Sequence, residues 1–505
     1  MRTRIRAWLA ASAACVALAA TAASARIDAH YTVLDNGMKV MLFPDKQAPT
    51  VACRIFYVTG SVHENSENNG IAHLLEHMLF KGTKKVGVVD AAKDAEYIRK
   101  IDELMAQVRL LRPEDSLRAR ALRKRYDTLI TEERKGMIKE ELWGAYERAG
   151  GTGLNAFTSD LMTAYIVTLP KNKIELYLWL EADRMQNAVL REFYSERDVV
   201  MEERRMHYDD RPTGRYGESL NSVFYEAFPY KLPTIGYPSN IRNLTREMAD
   251  EHYRKYYKPN NAILVLAGDI DTTQAMALIK KYFAPIPRGA DFPSVVVEEP
   301  QQPGEKRMVV YKNDAKPRLD IYFHTPGFPS SDLYALDIVE GVLSGRSGRL
   351  YRKLVKDLKI ALSAGAGNDV TKYTSNFQVS VDLDGKPQQD KVEKAVWDVL
   401  YDLGKKPISD RELARAKNQV VARTLRQLQD MEELATELAF WEIRGGWDYI
   451  NKFPESVQQV TAQQVQDVCK KYFYRKNSTT GLILPESSNP EAQENAAAPK
   501  AKEAK

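Results

Sequence analysis

The sequence predicts an α+β protein in two homologous halves, each a mainly antiparallel sheet packed with helices. First, apolar and polar residues alternate on both sides of Asn36-Gly37 in HYTVLDNGMKVMLFPD, which is typical of a β-hairpin. Second, longer segments such as IELYLWLEADRMQNAVL carry apolar residues at helical spacing. Third, residues 253–271 and 469–485 share one pattern, in which an aromatic and basic helix end leads through asparagine into an apolar strand. This repeat indicates duplicated halves.

The first 25 residues have the features of a secretory signal. Three arginines among the first six residues precede an uncharged apolar run, and the ASA tripeptide at 23–25 fits the cleavage rule for small residues. The run is short and rich in alanine, which argues against a membrane span. We therefore expect cleavage near Arg26, export to the periplasm and no stable membrane insertion.

The repeat and the local composition divide the rest of the chain. Residues 89–149 are highly charged, with an apolar stripe from Ile98 to Leu111 and a break at Pro113, and they predict an antiparallel helical pair. This pair is either a solvated protrusion or an arm that binds a partner. The predicted parts are a signal peptide at 1–25, an N-terminal domain at 26–290 that includes this helical insertion, a linker at 291–304, a homologous C-terminal domain at 305–485 and a disordered tail at 486–505.

Composition bounds the class of protein. The 505 residues are 44% apolar, which is enough for two or more cores, and a net charge of +5 gives no reason to expect a nucleic-acid partner. After signal cleavage only Cys53 and Cys469 remain, in a predicted strand and a predicted helix. We expect buried thiols there, and a single bridge between them stays open.

The segment GIAHLLEHMLFKGT, residues 70–83, carries the candidate functional side chains. His73 and His77 are four residues apart, on one face of a predicted helix, and Glu76 lies on the adjoining stripe. The other residues are apolar and should be buried, where unpaired polar groups are unfavourable. A zinc ion would give both imidazoles a reason to be there, with a third protein ligand and one open position. The alternative is a buried helix that happens to carry polar residues.

Together with other motifs, this segment resembles the pitrilysin/insulinase (M16) family of zinc metallopeptidases. His-x-x-Glu-His is the inverted form of the commoner zinc-protease motif. Residues 155–158 (NAFT) and 196–203 (ERDVVMEE) match two further motifs of the family. The resemblance covers about residues 30–485 and is closest to mitochondrial processing peptidases and their bacterial relatives. It implies the processing-peptidase (LuxS/MPP-like metallohydrolase) fold and one Zn²⁺ per chain.

The resemblance also implies a third metal ligand. At the spacing usual in the family, the third ligand after the second histidine would lie near Leu154, which cannot bind a metal. The helical insertion explains why the spacing differs in this chain. Counting from the later motif assigns Glu203, seven residues after Glu196. Seven residues are about two helical turns, so these glutamates share a face and Glu196 can support the site from outside the ligand shell. Glu202 is expected to face solvent, and Glu181 and Asp183 on the preceding helix are the remaining alternatives.

Further roles follow from the same resemblance. Glu76 would be the general base that accepts a proton from water as the nucleophile forms. Asn155 and Ala156 would offer a strand edge to an extended peptide, and backbone pairing of that kind gives affinity with little sequence preference. The alternative for these two residues is an ordinary edge strand.

One departure from the family pattern concerns the second half of the chain. Relatives carry an arginine and a tyrosine that contact the substrate, and Val355 and Leu362 stand at the matching positions of SGRLYRKLVKDLKIAL. We therefore expect a heterodimer with a paralogous subunit that lacks His-x-x-Glu-His and keeps the Arg/Tyr pair. The alternatives are that Arg349 or Arg352 substitutes after a register shift, or that a homodimer works with weaker positioning.

Three functional hypotheses result. The first is an exported zinc endopeptidase that cleaves short or unfolded peptides in a closed chamber. The second is a structural or assembly subunit of the same fold without catalysis, and the third is a peptide-binding protein without turnover. The residues His73, Glu76, His77 and Glu203 favour the first, because a scaffold needs none of them.

Overall fold

A computed structural model describes residues 26–112, 115–313, 316–385 and 388–490. The predicted signal peptide at 1–25 and the part of the predicted tail from 491 to 505 lie outside the described residues. Residues 486–488 of that tail form one short turn beyond the last strand. None of the helices in the described ranges combines the length and the apolar character needed to cross a bilayer.

The first half contains a six-stranded sheet. Its strands are β1 His30–Val33, β2 Lys39–Pro44, β3 Thr50–Tyr57, β4 Thr152–Thr158, β5 Thr163–Pro170 and β6 Ala262–Gly268. Their order in the sheet is β1-β2-β6-β3-β5-β4. Only β2 and β6 pair in parallel, and every other neighbouring pair is antiparallel. The sheet is therefore mainly antiparallel, and β1 and β4 are its edge strands.

Ten helices accompany this sheet in the described part of the first half. They are α1 Ile71–Met78, α2 Ala91–Arg109, α3 Ser116–Lys135, α4 Glu141–Arg148, α5 Ile174–Asn187, α6 Phe193–Arg204, α7 Pro212–Phe224, α8 Pro238–Asn243, α9 Arg246–Tyr256 and α10 Thr272–Phe283. One apolar core joins the sheet to α1, α5, α6 and α9. The helical pair α2–α3 contacts the same core through Ile101 and Ile130.

The second half contains a five-stranded sheet with the order β7-β11-β8-β10-β9. Its strands are β7 Lys306–Tyr311, β8 Arg318–Pro326, β9 Ala361–Asp369, β10 Thr374–Leu383 and β11 Ser478–Leu484. Its helices are α11 Asp332–Leu343, α12 Gln389–Lys405, α13 Asp410–Gln427, α14 Met431–Arg444, α15 Tyr449–Gln459 and α16 Ala462–Tyr472. The only parallel pair among the described strands of this sheet joins β7 and β11, which correspond to the parallel pair β2 and β6 of the first half.

Five strands of the first sheet have counterparts in the second sheet, and β1 is additional. The order β2-β6-β3-β5-β4 of the first sheet corresponds to β7-β11-β8-β10-β9 of the second. The Asn261 side chain donates hydrogen bonds to the Tyr256 and Val58 carbonyls. Asn477, at the matching place before β11, donates to the Tyr472 and His324 carbonyls. The predicted α+β fold with two homologous halves is confirmed.

The halves pack together through α14 of the second half and through α7 of the first half, whose Leu220 contacts Ile483 of β11. Helix α14 places Leu434 and Leu438 in a core shared with Val265 of β6. The segment between the halves is also fixed, because the Gln302 side chain donates to the Ser478 carbonyl and the Glu299 carboxylate accepts from the Phe228 amide. The predicted linker therefore lies against both halves.

Candidate metal centre

Helix α1 begins at a backbone turn that only glycine fits. Gly70 has a φ of 93°, and a Cβ atom there would lie 2.7 Å from the Ile235 carbonyl oxygen. The buried Glu64 carboxylate accepts hydrogen bonds from the Gly70 and Ala72 amides, each at 2.8 Å. A carboxylate at a helix N-terminus satisfies free amide groups and interacts favourably with the helix dipole. These contacts fix the position from which α1 projects His73.

His73, His77 and Glu203 form a three-donor cluster. The Nε2 atom of His77 is 3.3 Å from Glu203 Oε2, and His73 Nε2 is 3.7 Å from the same oxygen. One donor atom from each residue lies within 4.8 Å of the other two. Ligands at about 2.0–2.1 Å from a tetrahedral zinc ion are about 3.3 Å apart, so these separations and the two-imidazole, one-carboxylate donor set fit zinc.

Glu196 contacts the cluster from the opposite side of the His77 ring. Its Oε2 atom lies 3.7 Å from His77 Nδ1, while Oε1 forms an ion pair of 2.5 Å with Lys81. Helix α6 therefore presents Glu196 to one ring nitrogen and Glu203 to the other. A carboxylate facing the second nitrogen of a metal-binding imidazole fixes the orientation of the ring.

The pKa values of the two histidines are shifted in opposite directions. Burial and the neighbouring His77 lower the pKa of His73 to about 4. Burial alone would lower the pKa of His77, but the Glu196 and Glu203 carboxylates outweigh it and raise the pKa to about 9. Interaction with His77 in turn lowers the pKa of Glu203. A metal and protons therefore compete for the same donor atoms.

Glu76 is buried on the same helix and has one well-defined partner. The Thr158 hydroxyl, at the end of β4, donates a hydrogen bond of 2.6 Å to Glu76 Oε2. Burial raises the pKa of Glu76 above its ordinary value, although the Thr158 hydrogen bond acts to lower it. A carboxyl group with a raised pKa is better suited to accept a proton and to release it again.

A cavity of about 870 Å³ opens beside Glu76 and His77. Asn155 and Ala156 line it, together with aromatic and apolar side chains such as Trp143. Both residues belong to edge strand β4, which pairs on one side with β5 and on its other side with no described strand. The structure thus brings all the predicted site residues to one region, with a free strand edge beside the cavity.

The alternative carboxylates have other partners. Glu202 is exposed and forms an ion pair with Arg205. Glu181 accepts a hydrogen bond of 2.6 Å from Tyr146, and Asp183 accepts one of 2.5 Å from Thr83. None of these three belongs to the cluster formed by the two histidines and Glu203.

In the second half Val355 is half-buried and Leu362 is exposed. Both side chains are apolar, so neither can replace the arginine or the tyrosine of the family pattern. Arg349 is already bound within its own half, because its guanidinium donates to both oxygens of Glu412 and to Asp402. A register shift that freed Arg349 would break these contacts. Arg352 is exposed.

Sequence reasoning missed the roles of two residues. Thr158 was part of a recognised motif, and Lys81 stands four residues after His77 in another. Their contacts with Glu76 and Glu196 join segments that are distant in sequence, so periodicity along one helix cannot reveal them.

Comparisons with known proteins identify the family of the chain. The family profile described as Insulinase (Peptidase family M16) matches residues 39–101 and 134–237, and the profile described as Peptidase M16 inactive domain matches 243–420. The chain is 25% identical over 459 residues to a Helicobacter pylori protein named zinc protease PqqE, covering 90% of this chain and 92% of that one. It is 22% identical to a probable mitochondrial-processing peptidase subunit beta of Arabidopsis thaliana, covering 90% of this chain and 78% of that one.

A solved structure gives the same fold. The crystal structure of a protease from Helicobacter pylori superimposes with a TM-score of 0.76 at 24% identity, covering 91% of this chain and 99% of that one. Both halves of our chain are thus matched by profiles of a single family, and its relatives include proteins named zinc proteases. The chain belongs to peptidase family M16, the insulinase family.

Proposed function

We propose that the protein is an exported zinc endopeptidase. The observation that carries this proposal is the three-donor cluster of His73, His77 and Glu203 beside the buried carboxyl group of Glu76. The relatives named zinc proteases support it. The signal-like sequence at 1–25 supports export to the periplasm.

Each side chain has a definite task in this proposal. His73, His77 and Glu203 would hold one zinc ion, which supplies a Lewis acid that makes a water molecule more acidic. Glu76 accepts the proton from the attacking water and returns it to the leaving amine. Thr158 holds Glu76 through its hydrogen bond, and Glu196 orients the His77 ring.

The free edge of β4 supports a peptide substrate in extended form. An extended peptide paired with Asn155 and Ala156 would lie along the cavity that Glu76 and His77 also line. Such pairing uses backbone groups, which are free only in short or unfolded chains. We therefore propose short or unfolded peptides as the substrate class, enclosed in a chamber that a paralogous subunit completes.

A non-catalytic subunit is the second candidate, and the positions of Val355 and Leu362 favour it. Without a polar group at either position, the second half has no counterpart of the arginine and tyrosine expected from the family resemblance. This candidate predicts that the chain binds zinc and does not cleave peptides with any partner.

Metal analysis combined with a peptidase assay separates the two. A peptidase should contain one zinc per chain and cleave a fluorogenic peptide, alone or with its paralogue. Glu76→Gln should lower cleavage by about 10²–10⁴ while zinc remains. Absence of cleavage in every combination, with zinc present, would instead establish the non-catalytic subunit.

A further inference from the structure

The helical pair α2–α3 carries a feature that the proposed peptidase does not use. Its helices are 19 and 20 residues long, which corresponds to about 30 Å each. The profile that matches 39–101 and 134–237 leaves 102–133 unmatched, so most of the pair is additional to the family pattern. No described residue between Leu104 and Leu122 is fully buried, and the end of the pair therefore stands away from the core.

This end, which we call the tip, comprises residues 109–112 and 115–125. Residues 109–125 contain seven basic and two acidic side chains, so this stretch alone has a net charge of +5, equal to that of the whole chain. Arg118, Arg120 and Arg123 are exposed and form no ion pair with any described carboxylate. A concentrated positive surface of this kind attracts polyanions.

The tip also exposes two large apolar side chains. Leu110 and Leu117 are 83% and 79% exposed, and only Val296 is more exposed among the large apolar residues of the described ranges. Leu110 follows the end of α2 and Leu117 lies in the first turn of α3, and Arg109 and Arg118 are their neighbours in sequence. Single exposed leucines are ordinary, but two at the end of a basic projection form an amphipathic patch.

A cavity of about 350 Å³ borders the tip, between the helical pair and α6. Met105 and Val108 give it an apolar wall. Its charged lining consists of Arg120, Arg123, Arg197 and Asp198, so the wall is cationic on balance. Apolar surface beside several guanidinium groups suits a ligand with an anionic head and a hydrocarbon chain. Like the tip, the cavity thus combines basic and apolar side chains.

We propose that the tip docks the protein onto an anionic phospholipid surface, with Leu110 and Leu117 entering the interfacial region and the arginines contacting lipid phosphates. Lipid fits better than nucleic acid or an acidic protein, because neither offers an apolar layer beneath its charged surface for the leucines. Basic residues and apolar anchors acting together are what stable interfacial binding requires. The proposal is independent of the zinc site.

Vesicle sedimentation of the purified full chain tests the proposal. The probe is a vesicle of phosphatidylcholine and phosphatidylglycerol in about 7:3 ratio, compared with pure phosphatidylcholine. We expect at least tenfold tighter binding to the anionic vesicle and its loss at high salt, since each basic residue near the surface adds attraction that salt screens. Equal binding to both vesicles, or binding to neither, would overturn the proposal.

Two tip variants and two matched controls identify the surface. The charge variant is Arg118→Glu/Arg120→Glu/Arg123→Glu, with Lys391→Glu/Lys405→Glu/Arg411→Glu, exposed on α12 and α13, as its control. The apolar variant is Leu110→Ser/Leu117→Ser, with the exposed Val89→Ser/Val296→Ser as its control. Unchanged thermal midpoints would show that all four are folded, and any effect of residues 1–25 is common to all.

We expect the charge variant to bind at least tenfold more weakly and the apolar variant at least threefold more weakly, with both controls within twofold of the parent. Tip variants that bind like their controls would overturn the assignment. Tight binding to soluble polyglutamate that is unaffected by Leu110→Ser/Leu117→Ser would also overturn it, and would assign the tip to an acidic protein partner.

Discussion

The Nε2 atom of His77 lies 3.3 Å from the Oε2 atom of Glu203, although 126 positions separate the two residues in the printed sequence. The other nitrogen of the same ring faces Glu196 at 3.7 Å. One imidazole thus lies between two carboxylates of a single helix. Glu203 faces the nitrogen proposed to bind zinc, and Glu196 faces the other nitrogen, so the two carboxylates have different proposed roles.

Replacing Glu203 by glutamine should weaken zinc binding at least tenfold, because the amide removes the anionic donor. Zinc affinity measured by competition with a chelator checks this. The matched control is Glu202→Gln on the adjacent, exposed side chain, which should bind zinc like the parent. Full zinc affinity in Glu203→Gln would show that the ligand has been wrongly assigned.

Replacing Glu76 by glutamine should leave zinc binding intact and lower peptide hydrolysis by about 10²–10⁴, the range for loss of a general base. Glutamine keeps the size of the side chain and can still accept the Thr158 hydrogen bond. The measurement is kcat/KM on a fluorogenic peptide together with zinc content. Activity within a factor of two of the parent would exclude Glu76 as the base.

The Thr158 hydroxyl should set the acidic limb of the pH profile. Its hydrogen bond lowers the pKa of Glu76 against the effect of burial, so Thr158→Val should raise that pKa. Since the base must be deprotonated, the acidic limb of kcat/KM should move to higher pH, by about one unit for a hydrogen bond to a charged group. Thr158→Ser, which keeps the hydroxyl, is the control. An acidic limb that stays in place in Thr158→Val would contradict this role.

A partner should raise the activity of this chain. With Val355 and Leu362 in the second half, the chain alone has no arginine and tyrosine to position a peptide, and orientation is worth several kcal/mol, or about 10²–10⁴ in rate. We expect at least tenfold faster hydrolysis when a paralogue that carries the Arg/Tyr pair and lacks His-x-x-Glu-His is added. The control is the same paralogue with both residues replaced by alanine. Robust turnover by the lone chain, unchanged by the partner, would show that the second half needs no such help.

The sequence was sufficient to predict features that depend on residues within one local segment. The Asn36-Gly37 turn joins β1 to β2 as the alternation predicts. The matching hydrogen bonds of Asn261 and Asn477 explain why the repeat could be read without an alignment. Likewise, the seven-residue spacing of Glu196 and Glu203 places both on one face of α6.

The sequence was insufficient wherever a contact joins distant segments. Nothing in the pattern around Arg349 shows that Glu412 and Asp402 bind its guanidinium. The contact of Glu432 in α14 with the buried Arg54 of β3, which joins the halves, could not be read either. The boundaries of the predicted domains remain predictions, because the two halves share a core.

The proposed function depends on one zinc ion held by His73, His77 and Glu203 beside Glu76. Anomalous diffraction from a crystal of the zinc-loaded protein, measured on both sides of the zinc absorption edge, tests it most directly. We expect a single peak per chain, within about 2.0–2.2 Å of His73 Nε2, His77 Nε2 and a Glu203 oxygen. A peak between Glu196 and His77 Nδ1, or no peak at these side chains, would contradict the proposed zinc site.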